Sequence, residues 1–246
     1  MNRYVDIYTN ILPTMDAVGN AAPTREQAAT RLAQSEQNCI KTLIAAPLYT
    51  PEKFASLDDF FDMRREACLA LNAESAELSH PVRVHEGAVL QYSPDLLKLG
   101  DKLKRFSLAD SRYMLLNLPP EHLGADFYDD MTKLQVVSGL TPILADFDRF
   151  YGMFTLEDYI PLREAGILLQ ISADGLLTPE KRKLSLYLLA NQRAHFVASG
   201  SQPADEPVRL GEAMRVVQRS LPSDLYRRIK NNAGMLISDA SPSEFL

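Results

Sequence analysis

Along the chain, short apolar runs alternate with longer stretches whose apolar positions recur at helical spacing. Seven runs predict strands: Tyr4 to Leu12, Thr42 to Ala46, Val82 to Leu90, Met114 to Leu118, Pro142 to Ala145, Ile167 to Ile171 and Ala194 to Ser199. Several are apolar at nearly every position, as strands buried on both faces of a parallel sheet are. Helical patterns lie between them. Thr24 with Gln27 three residues on forms a capping box, and that helix runs toward Cys39. Further helices are predicted from Pro51 to about Leu71, Phe127 to Val137 and Leu156 to Ala165, the last stopped by Gly166. Thr178-Pro179-Glu180 places a cap before a proline at the first helical position. Val208 to Asn232 predicts two helices broken near Pro222, and the tail after Ser238 is expected to fray.

Repeated strand-then-helix units predict an α/β fold with a parallel sheet. No G-x-G-x-x-G and no Walker loop occurs, so a dinucleotide or P-loop cradle has no support. Seven strands without those loops favour a barrel over an open sheet. No Pro/Gly/Ser-rich linker divides residues 1–246, so one domain is expected. In a barrel, chemistry belongs at the carboxyl ends of the strands.

Composition narrows the class. A net charge of −6 argues against a general nucleic-acid binder, which needs a basic face. Two cysteines, Cys39 and Cys68, cannot build a disulfide scaffold and are read as buried thiols. The first residues lack the apolar core of a signal peptide, and no apolar run approaches the roughly 20 residues that span a bilayer. The expectation is a cytoplasmic protein without membrane insertion.

The strand ends, taken in order, resemble the bacterial tyrosine phosphatases of the PHP (polymerase and histidinol phosphatase) type, which work in capsular and extracellular polysaccharide synthesis. Where that family has D-I-H-x-H-I-L-P, this chain has Asp6-Ile7-Tyr8-Thr9-Asn10-Ile11-Leu12-Pro13. Its A-T-P-H-H is similar to Ala45-Ala46-Pro47-Leu48-Tyr49, and its Y-L-L-x-E-L-P to Tyr113-Met114-Leu115-Leu116-Asn117-Leu118-Pro119. Its G-x-T-P-I-x-A-H-P-E-R resembles Gly139 to Arg149, its L-L-Q-x-x-A-G-S-L resembles Leu168 to Leu176, and its H-F-x-A-S-D-A-H resembles His195 to Gln202. Asn231-Asn232-Ala233 resembles its N-N-P. The resemblance implies a distorted TIM-like barrel of about seven parallel strands with surrounding helices. It also implies a cluster of divalent metals such as manganese, and as partner the phosphotyrosine tail of a membrane-associated kinase.

The departures fall on the ligand positions that the resemblance implies. The paired histidines of the first motif are Tyr8 and Asn10, and the ligand after the second strand is Leu48. Alignment on Pro94-Asp95-Leu96-Leu97 places Val89 at a bridging glutamate, with Glu86 three residues earlier. The fourth-strand glutamate is Asn117, the fifth-strand histidine is Asp146, and the final Asp and His are Gly200 and Gln202. Asp16 matches the first residue of an early Asp-Asp-Gly. A multinuclear site must deprotonate a water and clamp a phosphoryl group through several imidazole and carboxylate ligands. Leu48, Val89 and Gly200 carry no donor, and neutral amides suit a hard cation only as supplements.

The expected function is therefore a degenerate, metal-free relative of these phosphatases that binds or regulates. Its vestigial pocket would be formed by Tyr8, Asn10, Asp16, Leu48, Val89, Asn117, Asp146, Asp148, Arg149, Gly200 and Gln202, with no catalytic residue. The alternatives are an active phosphatase with one metal held by Asp146, Asp16 and Glu86, or a new metal-independent activity in the same pocket. Arg149 retains the family arginine; a guanidinium there could grip phosphate, but pairing with Asp146 or Asp148 is favoured. Strand alternation would point Asp146 and Asp148 the same way. His195 is read as a hydrogen-bonded core residue, His85 as a ligand only on another register, and His80 and His122 as solvated. Ser199 and His195 share a face but stand too far apart for a nucleophile pair. Phe60-Phe61 is read as helix core.

Overall fold

The computed structural model describes residues 3–119, 124–155 and 157–245. His122 lies outside them. In chain order the elements are β1 (Tyr4–Thr9), α1 (Arg25–Gln37), β2 (Ile40–Ala45), β3 (Leu48–Tyr49), α2 (Leu57–Ser75), β4 (Arg83–Glu86), β5 (Val89–Gln91), β6 (Tyr113–Asn117), α3 (Ala125–Ser138), β7 (Thr141–Leu144), α4 (Tyr159–Glu164), β8 (Leu168–Ser172), α5 (Ala173–Leu177), α6 (Pro179–Ala190), β9 (Phe196–Ala198), α7 (Leu210–Ser220) and α8 (Ser223–Ile237).

All strand pairs are parallel, in a three-stranded sheet of order β1-β2-β4 and a six-stranded sheet of order β3-β5-β6-β7-β8-β9. The two sheets are continuous through the chain: β2 runs on into β3, and β4 into β5. Each interruption is two residues long, at Ala46-Pro47 and Gly87-Ala88. A Cβ on Gly87 would lie 2.5 Å from Ile44 Cγ2, so glycine lets the two runs pack at this break. Counting the interrupted pairs once leaves the same seven runs that the apolar pattern predicts. The ring meets itself at one bridge, Thr9 to Gly200, where the Gly200 N–H donates to the Tyr8 carbonyl at 2.9 Å. The fold is thus the TIM-like parallel α/β arrangement, with a hydrogen-bond ladder that is interrupted rather than continuous.

The two-residue period of a strand divides the apolar runs into two layers. Tyr113 and Leu115, Ile143 and Ala145, Phe196 and Ala198 point into the ring, while Met114, Leu116, Leu144 and Val197 face the helices. The amino end of the ring is closed from the C-terminus. Ala233 and Leu236 of α8 and Phe245 beyond it join the inner layer. Phe245 is 1 % exposed, with its ring 5.6 Å from Tyr113 and 5.2 Å from Phe196. The tail therefore does not fray as expected. Asp239 pairs with Arg112 at 2.9 Å, and Ser241 and Glu244 form a capping box. Apolar burial of Phe245 outweighs the ordering entropy that frays a typical terminus.

The local signals hold in part. Thr24 and Gln27 make the reciprocal capping bonds at 3.2 and 2.8 Å. The break at Pro222 falls between α7 and α8, and Gly166 after α4 is left-handed at φ 68°. Pro51 begins only a single 3-10 turn, and the helix proper starts at Leu57 behind a Ser56 cap. Thr178 precedes α6, but its hydroxyl donates to Asp174 rather than capping the helix. Phe60 and Phe61 are buried with Tyr49, Phe54 and Phe106, so this aromatic run is core. Both thiols are free; Cys68 is buried, which pushes it up to about 12, whereas Cys39 is only half-buried. Among the described residues no helix is long and apolar enough to cross a membrane.

Candidate functional site

The carboxyl ends of the strands form the mouth of the ring. Tyr8 from β1 is fully buried in the inner layer, and its hydroxyl has no well-formed hydrogen bond among the described residues. Burial, reinforced by the nearby Asp146 carboxylate, holds its phenol well above the ordinary value. Asn10 donates to the Gln202 carbonyl at 3.2 Å, which joins the two loops across the β1–β9 seam. Asp6 lies deeper in the same seam and accepts from the Ser199 N–H at 3.0 Å. Desolvation pushes Asp6 up to about 6.

Asp146 is the centre of the mouth. It follows β7 at φ 47°, a left-handed backbone that asparagine and aspartate tolerate better than most residues. Its backbone N–H donates to Gln170 Oε1 at 2.6 Å, and its Oδ2 accepts from the Ser201 N–H and hydroxyl at 2.9 and 2.7 Å. Oδ1 is buried without a partner among the described residues. A Cβ on Gly200 would stand 2.3 Å from that oxygen, and Gly200 itself has φ +80°. The Asp146 carboxylate thus fills the space that a side chain at 200 would need, so this placement of Asp146 requires a glycine at 200. Burial and the neighbouring Asp148 push Asp146 upward from the usual carboxylate range.

Asp148 does not share a face with Asp146. The strand has ended at Leu144, and the 3-10 turn Phe147–Phe150 sends the two carboxylates apart. Asp148 accepts from the Ser172 N–H and hydroxyl at 2.7 and 2.9 Å, with Lys181 at 3.6 Å. Arg149 pairs with neither aspartate at salt-bridge distance among the described residues, contrary to the favoured reading. Its Nη2 donates to the Leu118 carbonyl at 2.9 Å, its guanidinium lies 4.8 Å from the Phe150 ring centre, and its Nε is buried without a partner among the described residues. Both carboxylates are already turned toward their serines, which leaves the guanidinium to a carbonyl and a ring.

The other sequence candidates do not converge on Asp146. Asp16 pairs with Lys53 and accepts from the Ala22 N–H. Glu86 shares strand parity with Val84 of the outer layer and is held by Arg64 of α2 at 3.0 and 2.9 Å. Val89 faces the inner layer, and Leu48 packs against that layer. Asn117 donates to the Gln91 amide oxygen, which leaves its own Oδ1 buried and unpartnered among the described residues. His195 sits below the mouth: its Nδ1 accepts from the Leu169 N–H at 3.1 Å, and burial lowers it to about 4. His85 is half-buried on β4, and His80 is exposed beside Glu36. Among the described residues no three His, Cys, Asp or Glu side chains stand close enough to hold one ion. Gln170, Ser172 and Ser201 hold the site in shape; Ser172 and Ser201 stand among the strand-end positions where a barrel places its chemistry, but none of the three is among the expected pocket residues. Gln170 was visible as the glutamine of the L-L-Q motif and as a polar residue inside a mainly apolar strand, but neither signal gave its bond to Asp146.

A ring of parallel strands with its polar groups at the carboxyl ends is the architecture of barrel-type hydrolases. The structure aligns with a hydrolase of the TatD family from Entamoeba histolytica at TM-score 0.58, 10% identity, over 97% of this chain and 99% of the other. It aligns with crystal structures described as YwqE from Bacillus subtilis and CpsB from Streptococcus pneumoniae, unique metal-dependent tyrosine phosphatases, at TM-score 0.81 and 23% identity, over 96% of this chain and 95% of the matched one. The family model "Capsular polysaccharide synthesis, CpsB/CapC" matches residues 4–238, and the chain belongs to that family. Among curated relatives, tyrosine-protein phosphatase YwqE of Bacillus subtilis is 27% identical over 95% of this chain and 91% of its own length. Tyrosine-protein phosphatase CpsB of Streptococcus pneumoniae is 22% identical over 87% and 90%.

The matched phosphatases are metal-dependent, whereas the mouth of this chain has few groups able to hold a metal. Leu48, Val89 and Gly200 offer no donor, and the Asp16 and Glu86 carboxylates are bound to Lys53 and Arg64. Asp146 has one carboxylate oxygen committed to Ser201 and the other against Gly200. This donor set does not fit a multinuclear metal cluster, which needs several anionic or imidazole ligands around a shared centre.

Proposed function

We propose that this chain is a catalytically degenerate, metal-free member of the family that acts by binding or regulation rather than by hydrolysis. The observation that carries the reading is that these carboxylates are engaged separately rather than around one centre: Asp146 through one oxygen with Ser201, Asp148 with Ser172, Asp16 with Lys53 and Glu86 with Arg64. A metal-assisted hydrolase has to activate water between ligands that converge. The partner class drawn from the family resemblance is a tyrosine-phosphorylated kinase tail of a polysaccharide assembly system.

The test is hydrolysis of a phosphotyrosine peptide by purified protein with added Mn²⁺, with chelator as control. The expected result is no turnover above a no-enzyme blank. Chelator-sensitive turnover that scales with protein, and that disappears in Asp146→Ala, would overturn the proposal and restore an active phosphatase with a rebuilt metal site.

A further inference from the structure

Beside the mouth, between the ends of β5, β6 and β7, lies a cavity of about 380 Å³. Its polar wall is Gln91, Asn117 and Arg149; its apolar wall includes Leu118, Phe150 and Met153. The volume is within the range of small-molecule pockets. On the polar wall, Asn117 Oδ1 and Arg149 Nε are buried without partners among the described residues. Tyr8 and Asp146 do not line the cavity but lie near enough to Arg149 to act on its charge. Among the described residues, the unpartnered atoms on residues that line the cavity are therefore one acceptor, Asn117 Oδ1, and one donor, Arg149 Nε.

Buried polar atoms are almost always hydrogen-bonded, so such a cluster points to a group that completes it. The cluster mixes donors with acceptors. A bare cation would meet the Arg149 guanidinium, and an anion would meet the Asp146 carboxylate. A hydroxyl both donates and accepts, and so answers both sides without bringing a charge. The rest of the lining is apolar and adjoins these polar groups, which calls for a ligand with C–H groups on one face and hydroxyls at its edge.

We propose that this pocket binds a neutral hexopyranose unit, with Asn117 and Arg149 bonding ring hydroxyls while Phe150 and Met153 cover the C–H face. The inference rests on the degenerate reading only in requiring that no hydrolytic metal centre occupies the adjacent mouth. The chain has no tryptophan, so the measurement is saturation-transfer difference NMR rather than indole fluorescence. The probes are methyl glucoside, galactoside and mannoside, with phosphotyrosine and inorganic phosphate run in parallel.

A saturable signal from at least one hexoside is expected, weakened about tenfold or more in Asn117→Leu, which keeps the side-chain volume but removes the hydrogen bonds. Arg149→Lys should weaken it similarly, since it keeps the charge and removes the fork. Unchanged unfolding midpoints would show that both variants fold. No saturable hexoside signal, a signal unaffected by both substitutions, or displacement of the hexoside by phosphotyrosine would overturn the proposal. These outcomes are separate from the hydrolysis assay, because chelator-sensitive turnover sinks the degenerate reading whether or not a hexoside binds.

Discussion

The two ends of the ring are built on opposite terms. At the amino end Tyr113, Phe196, Leu236 and Phe245 close an apolar floor; the Tyr113 hydroxyl bonds to the Ala240 carbonyl, and beside Phe245 the His195 Nε2 and Asn232 Oδ1 atoms are buried without partners among the described residues. At the carboxyl end Tyr8, Asn117, Asp146, Arg149 and Gln202 each bury a polar atom with no partner among the described residues. The floor gains stability from apolar area, whereas the mouth gives it up by desolvating groups it does not fully pair. Such a difference separates the part of a barrel that holds it together from the part that meets ligands.

The comparison breaks first at the floor. Phe245→Ala should cost about 3–5 kcal/mol, the range for a buried Phe truncated to Ala. Chemical denaturation would show it as a lower midpoint with an unchanged slope. A loss under 1 kcal/mol would mean that the C-terminal segment does not seal the ring.

At the mouth the steric coupling of Gly200 and Asp146 can be measured directly. Gly200→Ala should cost about 2–4 kcal/mol, from the positive φ together with the Cβ placed 2.3 Å from Asp146 Oδ1. In an Asp146→Ala background only the backbone share should remain, about 1–2 kcal/mol. Equal costs in both backgrounds would show that the two positions are independent.

The smallest expected effect sharpens the comparison through pH. Asp6 is raised from 3.8 to about 6 by burial. Between about pH 4 and pH 6 the folded chain keeps a proton that the unfolded chain has released, so stability falls as pH rises through that window. Asp6→Asn should remove the Asp6 share of this slope, leaving that of Asp146, and gain on the parent by about 1–3 kcal/mol between pH 4 and pH 7. Parallel pH–stability curves for the two proteins would refute the assignment.

Much of the architecture was legible because strand periodicity and capping are local. The apolar runs located the ring's strands, and Thr24 with Gln27 marked the start of α1. The interruptions at Ala46-Pro47 and Gly87-Ala88 were not visible, because they depend on how neighbouring strands pack. The site was legible as a set of positions but not as a set of contacts. Asp146 and Asp148 looked like neighbours on one face, and the turn after β7 separates them. Arg149 looked like a salt-bridge partner, and both aspartates had nearer serines. Glu86 looked available as a ligand, and Arg64, 22 residues away in sequence, holds it.

What the order of residues determined by itself is the alternation of buried strand and amphipathic helix, and the absence of a donor side chain at Leu48, Val89 and Gly200. Both are properties of residue type and spacing, which need no knowledge of neighbours in space. What only the tertiary structure decided is where each remaining charge goes. A carboxylate's partner is set by distances of about 3 Å between elements far apart in sequence, and its protonation by how completely those elements exclude water.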